Sequence, residues 1–213
     1  MRCAALLSAT LILFTAACVK PVEKDYSDFH AAAPRSILVV PVVNHSVHVD
    51  APDYFLSTIS VPLAEQGYYV FPVNMVKRIL EDDGLADADL VHGSPAEKLA
   101  SIFGADAVLY VKITRWDAQY ILLSTTVTVE LEYVIKDGKT GTLLWQDSRL
   151  VQHTPSKDNN SANPLAGLIV NAIVAALEKA APNYMPLAKE ANRQAFRYPG
   201  PGIPPGPYSM AST

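Results

Sequence analysis

"TVTVELEYVIKDGKTGTLLWQD", residues 126–147, decides how this chain folds. Val127, Val129, Leu131, Tyr133 and Ile135 fall on one side of an alternating run, and Thr126, Thr128, Glu130 and Glu132 on the other. A period of two puts one set against a core and the other in water, which predicts a half-solvated strand over 121–135. "DGKTG" (137–141) is rich in turn formers, so residues 142–152 are expected to run back as the antiparallel partner.

Upstream, "ADAVLYVKITRW" (105–116) reads as another strand. "SPAE" (94–97) predicts a capping box, with Ser94 as N-cap, Pro95 in the first turn and Glu97 reaching back, at the head of a helix ending at Gly104. A helix capped by Asn74 is expected through Asp83, ended by Gly84. "YYVFP" (68–72) is a short strand. From Pro52 to Gln66 the spacing of Phe55, Ile59 and Leu63 is helical, with a kink expected at Pro62 and a stop at Gly67. "SILVVPVV" (36–43) is a continuous β-branched run, suited to a strand buried on both faces. Downstream, Asn163-Pro164 opens a last long helix through about residue 181.

The order β-α-β-α-α-β-β-β-α places the chain in the mixed α/β (α+β) class with a five-stranded mixed sheet. The early strands have helical crossovers and should pair in parallel, and the last strands form a meander. The expected domain organisation is a signal peptide (1–17), a lipidated N-terminus and flexible tether (18–35), one α/β domain (36–198) and a Pro/Gly-rich tail (199–213).

The chain has 213 residues, enough for one domain with a substantial core. Lys and Arg number 17 against 21 Asp and Glu, with no basic concentration, which argues against a nucleic-acid partner. Its two cysteines, Cys3 and Cys18, both lie near the start, so no disulfide framework holds the body. Arg2 followed by the apolar run 4–17 is too short to span a bilayer and fits a secretory signal. Thr15-Ala16-Ala17 would serve ordinary secretory cleavage. The same run abutting Cys18 also fits a lipobox, with Thr15 where leucine is usual, cleavage after Ala17 and lipidation of Cys18. The thiol would carry diacylglycerol through a thioether, and several acyl chains, palmitate among them, anchor durably. Val19 stands where an aspartate would favour inner-membrane retention, which points to the outer membrane. Residues 19–35 read as a polar tether. Residues 199–213 read as an extended, mobile tail, with a docking peptide as the alternative.

"APDYFLSTISVPLAEQGYYVFPV" (51–73), "IFGADAVLYVKI" (102–113) and "KTGTLLWQ" (139–146) resemble a family of bacterial lipoproteins that includes a neisserial surface lipoprotein. That resemblance implies a fold like the N-terminal domain of TolB and the periplasmic core of the curli secretion lipoprotein CsgG. It also implies a role in an envelope transport or secretion assembly. The family pattern leads one to expect an aspartate where this chain has His48.

Catalytic signals are sparse. "DGKT" (137–140) is not a P-loop: Tyr133 stands where the first glycine is needed, and the turn joins two strands. His45 and His48 are three apart but lack the company a metal site needs, and His92 and His153 are isolated, so no metal is expected. Asp82, Asp83, Asp87 and Asp89 lack calcium-loop spacing. No nucleophile elbow marks a catalytic serine. The expectation is therefore no catalytic residue, no cofactor and no enzyme. The favoured function is a non-enzymatic outer-membrane lipoprotein facing the periplasm, an accessory of an envelope transport or secretion assembly, with other envelope lipoproteins or transporter components as partners. An enzyme with a site hidden from motifs and a CsgG-like oligomeric pore remain as alternatives. The helix after Pro164 is apolar on more than one face, which predicts either a homodimer or higher oligomer, or cover by residues 182–198.

Overall fold

A computed structural model describes residues 24–121, 124–154, 183–197, 200 and 202–209. In chain order the elements are α1 (Ser27–Ala32), β1 (Ser36–Val39), β2 (Val43–Asn44), α2 (Ala51–Glu65), β3 (Tyr69–Val70), α3 (Val73–Asp82), α4 (Ala88–Gly93), α5 (Ala96–Phe103), β4 (Ala107–Ile121), β5 (Ser124–Asp137), β6 (Leu143–His153) and α6 (Met185–Phe196). The strands form one mixed sheet in the order β3-β1-β4-β5-β6, with β2 also on β4. β1 is parallel to β3 and β4, while β4, β5 and β6 are antiparallel, so the parallel half and the meander stand as the element order predicts.

Two cores account for the sequence pattern. On one face Ile37, Val39, Leu109, Ile113, Leu131 and Tyr133 pack with α2 and α6. On the other, Leu38, Val40, Val108 and Tyr110 meet Val76, Leu80, Val91 and Leu99 of α3, α4 and α5. β1 is buried between them, which is why its sequence is apolar without alternation. β5 reaches past the second layer, so Glu132 is exposed while Leu131 and Tyr133 are buried.

Several expectations change. The strand 36–43 is two pieces, β1 and β2, because Pro41 between them has no N–H for the ladder. α2 runs through Pro62 to Glu65 as one element. No side chain caps α3, whose first residue is Val73, so Asn74 lies inside the helix rather than at its cap. The capping box at 94–97 does not form: the Ser94 hydroxyl donates to the Leu90 carbonyl at the end of α4 (2.9 Å), and α5 starts at Ala96. Helices α1, α4 and α6 add to the expected set. The helix expected over 164–181 lies outside the described residues.

The domain extends into both the expected tether and the expected tail. Residues 24–35 belong to the domain: Phe29 of α1 is buried in the core, and Lys24 Nζ bonds the Gln146 carbonyl (2.7 Å) and Asp147 (3.2 Å). The Asp106 carboxylate then accepts from Arg35 N, Ser36 N and Ser36 Oγ, each at 3.0 Å, fixing the entry to β1. Residues 202–209 are docked rather than extended and free. Ile203 is fully buried, the Tyr68 hydroxyl donates to the Pro204 carbonyl, and Gly206 N donates to the Gln66 carbonyl (2.7 Å). A Cβ on Gly206 would lie 2.3 Å from the Gly67 carbonyl oxygen, so this approach needs glycine.

A buried polar relay locks α6 to the sheet and to α2. The Tyr133 hydroxyl donates to Asn192 Oδ1 (2.8 Å), Asn192 Nδ2 donates to Thr58 Oγ1 (2.9 Å), and Thr58 Oγ1 donates to the Phe55 carbonyl (2.7 Å). All three side chains are buried, so each polar atom depends on its partner.

Candidate functional site

The loop 45–50 between β2 and α2 is short and bonded to itself. Asn44 Oδ1 accepts from Ser46 N (3.0 Å) and Ser46 Oγ (2.7 Å), and Asn44 Nδ2 donates to the His48 carbonyl (2.8 Å). These bonds satisfy the backbone locally and leave the aliphatic side chains outside: Val47 is 90% exposed and Val49 87%. From much later in the sequence, Tyr184 lies between His48 and Trp116, with ring centroids 5.3 and 5.2 Å away and the rings tilted. Burial, followed by the nearby Asp117 charge, raises the Tyr184 phenol above its ordinary range.

Val47, His48, Val49, Tyr54, Tyr184 and Met185 line an open cleft of about 460 Å³. His48 Nε2 lies 3.2 Å from the Tyr184 hydroxyl. Among the described residues no carboxylate hydrogen-bonds His48; its side-chain partner there is Tyr184. The cleft offers apolar contact with a few polar handles. Its halves are about 136 residues apart in sequence, so periodicity could not have joined them.

The other residues singled out by the sequence are scattered. His45 and His153 are exposed. His92 Nε2 donates to the Pro41 carbonyl (3.0 Å) and meets Tyr110 edge-on, and burial pushes its pKa down. Asp87 accepts from Asp89 N (2.7 Å) as the cap of α4, a structural use of that acidic group. Asp137 folds its carboxylate back onto Thr140 N (2.8 Å) and Thr140 Oγ1 (2.7 Å), so "DGKT" builds the β5–β6 turn. Asp147 opposes Tyr133 and pairs with Arg149 (2.6 Å) and Lys24 (3.2 Å). Among the described residues no group of three or more His, Cys, Asp or Glu is placed to hold a metal ion. Among them, too, no helix is long and apolar enough to cross a membrane. Ala17 and Cys18 lie outside the described residues.

Comparison with known proteins agrees with this fold. The family described as "Putative lipoprotein GNA1162-like" matches residues 24–207. "Putative lipoprotein NMB1124/NMB1162" of Neisseria meningitidis is 37% identical over 168 residues, covering 79% of this chain and 77% of that one. The crystal structure of lipoprotein GNA1162 from Neisseria meningitidis is similar at a TM-score of 0.55 and 37% identity, over 68% of this chain and 98% of that chain. A PelC dodecamer from Paraburkholderia phytofirmans shares 17% identity over 66% of this chain and 84% of that one at a TM-score of 0.38. With the family matched from Lys24 of the first described residues to Pro207 of the docked tail, this chain belongs to the GNA1162-like lipoprotein family.

Proposed function

We propose that this chain is a lipoprotein anchored through Cys18 to the outer membrane and facing the periplasm. There it acts as a non-enzymatic accessory of an envelope transport or secretion assembly, and the 45–54/183–185 cleft is where it meets a protein partner. The observation that carries this reading is the rim of that cleft. Two aliphatic side chains, Val47 and Val49, are almost wholly exposed on a loop held by its own hydrogen bonds. Preorganised apolar surface beside aromatic side chains serves contact, since a partner buries it without first ordering the loop.

The anchor is tested by Cys18→Ser, which is expected to release the protein from the membrane fraction or leave the precursor uncut. A wild-type mature chain unmodified at Cys18 would refute it. The contact surface is tested in cells carrying Val47→Asp with Val49→Asp. Crosslinked envelope adducts present in the wild type should be lost while circular dichroism stays unchanged. Persistence of the same adducts would exclude this cleft. Turnover of a small substrate abolished by His48→Ala would instead favour an enzyme.

A further inference from the structure

Anchoring at Cys18, proposed above, also limits how the domain can stand on its membrane. Lys24, already folded onto β6, is six residues after Cys18, so the chain between them spans at most about 20 Å. Lys24 holds Asp147, which is opposite Tyr133 in β5. From Tyr133 the β4–β5 hairpin continues nine residues to Ser124, about 30 Å at about 3.3 Å per residue. If the domain rested on the hairpin tip, Lys24 would sit above the reach of its anchor. A pore arm must turn one apolar face to lipid, but the apolar face of this hairpin, with Trp116, Val127 and Val129, is already buried in the domain's own core, and the other face carries Asp117 and Gln119.

The opposite end has the chemistry of a membrane interface. At that end Tyr69 pairs with Ser36, the next residue Ile37 with Ala107, and Ala107 with Asp137, from one strand to the next across the sheet. Tyr69 is 52% exposed and Tyr208 56%. The Arg35 guanidinium lies 5.9 Å from the Tyr208 ring centre and donates to its hydroxyl (3.1 Å). Lys139 projects from the adjoining turn, exposed. Tyrosines with exposed rings favour the headgroup layer, and the two cations suit anionic lipid. We propose that this end, made by Arg35, Tyr69, Lys139 and Tyr208, rests on the bilayer that holds Cys18. The β4–β5 hairpin and the cleft then project away from it into the aqueous compartment.

The test uses the full lipidated chain in vesicles of phosphatidylethanolamine and phosphatidylglycerol containing an acceptor dye on lipid. Cys3 precedes the cleavage site and Cys18 is acylated, so one added thiol takes a donor dye selectively. Thr142→Cys, exposed in the same turn but outside the proposed contacts, reports the lipid-facing end, and Gln119→Cys, also exposed, reports the hairpin. The energy-transfer distance to the lipid plane should be longer for Gln119→Cys by about 40 Å, the rise of the twelve residues from Ala107 to Gln119. Equal distances would mean that the domain lies on its side, and reversed distances that the hairpin faces lipid; either overturns the orientation. Mass measurement of the N-terminal peptide in the same sample separates the two layers of the argument. An acylated chain with equal or reversed distances refutes the orientation alone, and a chain without the acyl mass refutes the anchor and the orientation together.

Discussion

Asn192→Leu tests the relay that holds α6. The substitution keeps side-chain size but removes the acceptor of the Tyr133 hydroxyl and the donor to Thr58. Thr58 keeps its bond to the Phe55 carbonyl, so the group left orphaned is the Tyr133 hydroxyl, in a side chain with no exposure. Leaving a buried hydroxyl unsatisfied costs about 1–3 kcal/mol, and the lost bond to Thr58 adds about 1 kcal/mol. The expected destabilisation is about 2–4 kcal/mol, or a fall in Tm of roughly 5–15 °C for a domain of this size. Urea and thermal unfolding of a soluble Cys18→Ser form, followed by circular dichroism, measure it. Adding Tyr133→Phe removes the orphan, so the double variant should be more stable than the sum of the two single losses by at least about 1 kcal/mol. A loss below about 0.5 kcal/mol for Asn192→Leu, or strict additivity in the double variant, would refute the claim that these atoms depend on one another.

Stability should also fall in mild acid through His92. Its folded pKa lies below the ordinary value near 6.5 because burial disfavours the charged ring, so the unfolded chain binds the proton more readily. The contribution is intact above about pH 6.5 and is lost as pH falls through that value toward the lower folded pKa; His92→Gln should flatten this part of the stability–pH curve. At Gly67, φ is +87° and an added Cβ would lie 2.1 Å from Ser209 N, so Gly67→Val should free residues 202–209. Limited proteolysis would then cut the C-terminal segment faster than in wild type, and unchanged protection would refute the docking. Self-association through residues 165–177 predicts a dimeric mass by light scattering at tens of micromolar, weakened by Ile173→Glu with the fold intact. A strictly monomeric wild type rejects it.

The alternation in β5 and the glycine-bearing turn after it were legible because each rests on local physics: a period of two and a backbone reversal. The helices α2, α3 and α5 were legible for the same reason, as were the glycine stops at Gly84 and Gly104, while the N-caps of α3 and α5 were not: Asn74 falls inside its helix, and Ser94 bonds a carbonyl of a helix too short to signal itself. Residues 185–196 carry Leu187, Ala188, Ala191, Asn192, Ala195 and Phe196 on one face. That stripe is visible in the sequence, but small residues and a buried asparagine give it little hydrophobic weight. The docking of 24–35 and 202–209 rests on contacts such as the Tyr26 hydroxyl on the Gly202 carbonyl (2.6 Å), which join opposite ends of the chain. The cleft was illegible for the same cause: His48 carries no sign of Tyr184.

The meeting of those two ends has a consequence for when this protein can fold. Tyr26 is 176 residues from Gly202, and the core face beneath α6 cannot close before Phe196 arrives. β1, an interior strand, must likewise wait for β4, about 70 residues later. Contacts of such separation form late, because a long loop must be closed before they reward it. A nascent chain emerging from the ribosome therefore stays incompletely folded until residue 202 has emerged. For the export that the proposed anchor at Cys18 requires, that delay would keep the chain an open strand until it has crossed the membrane.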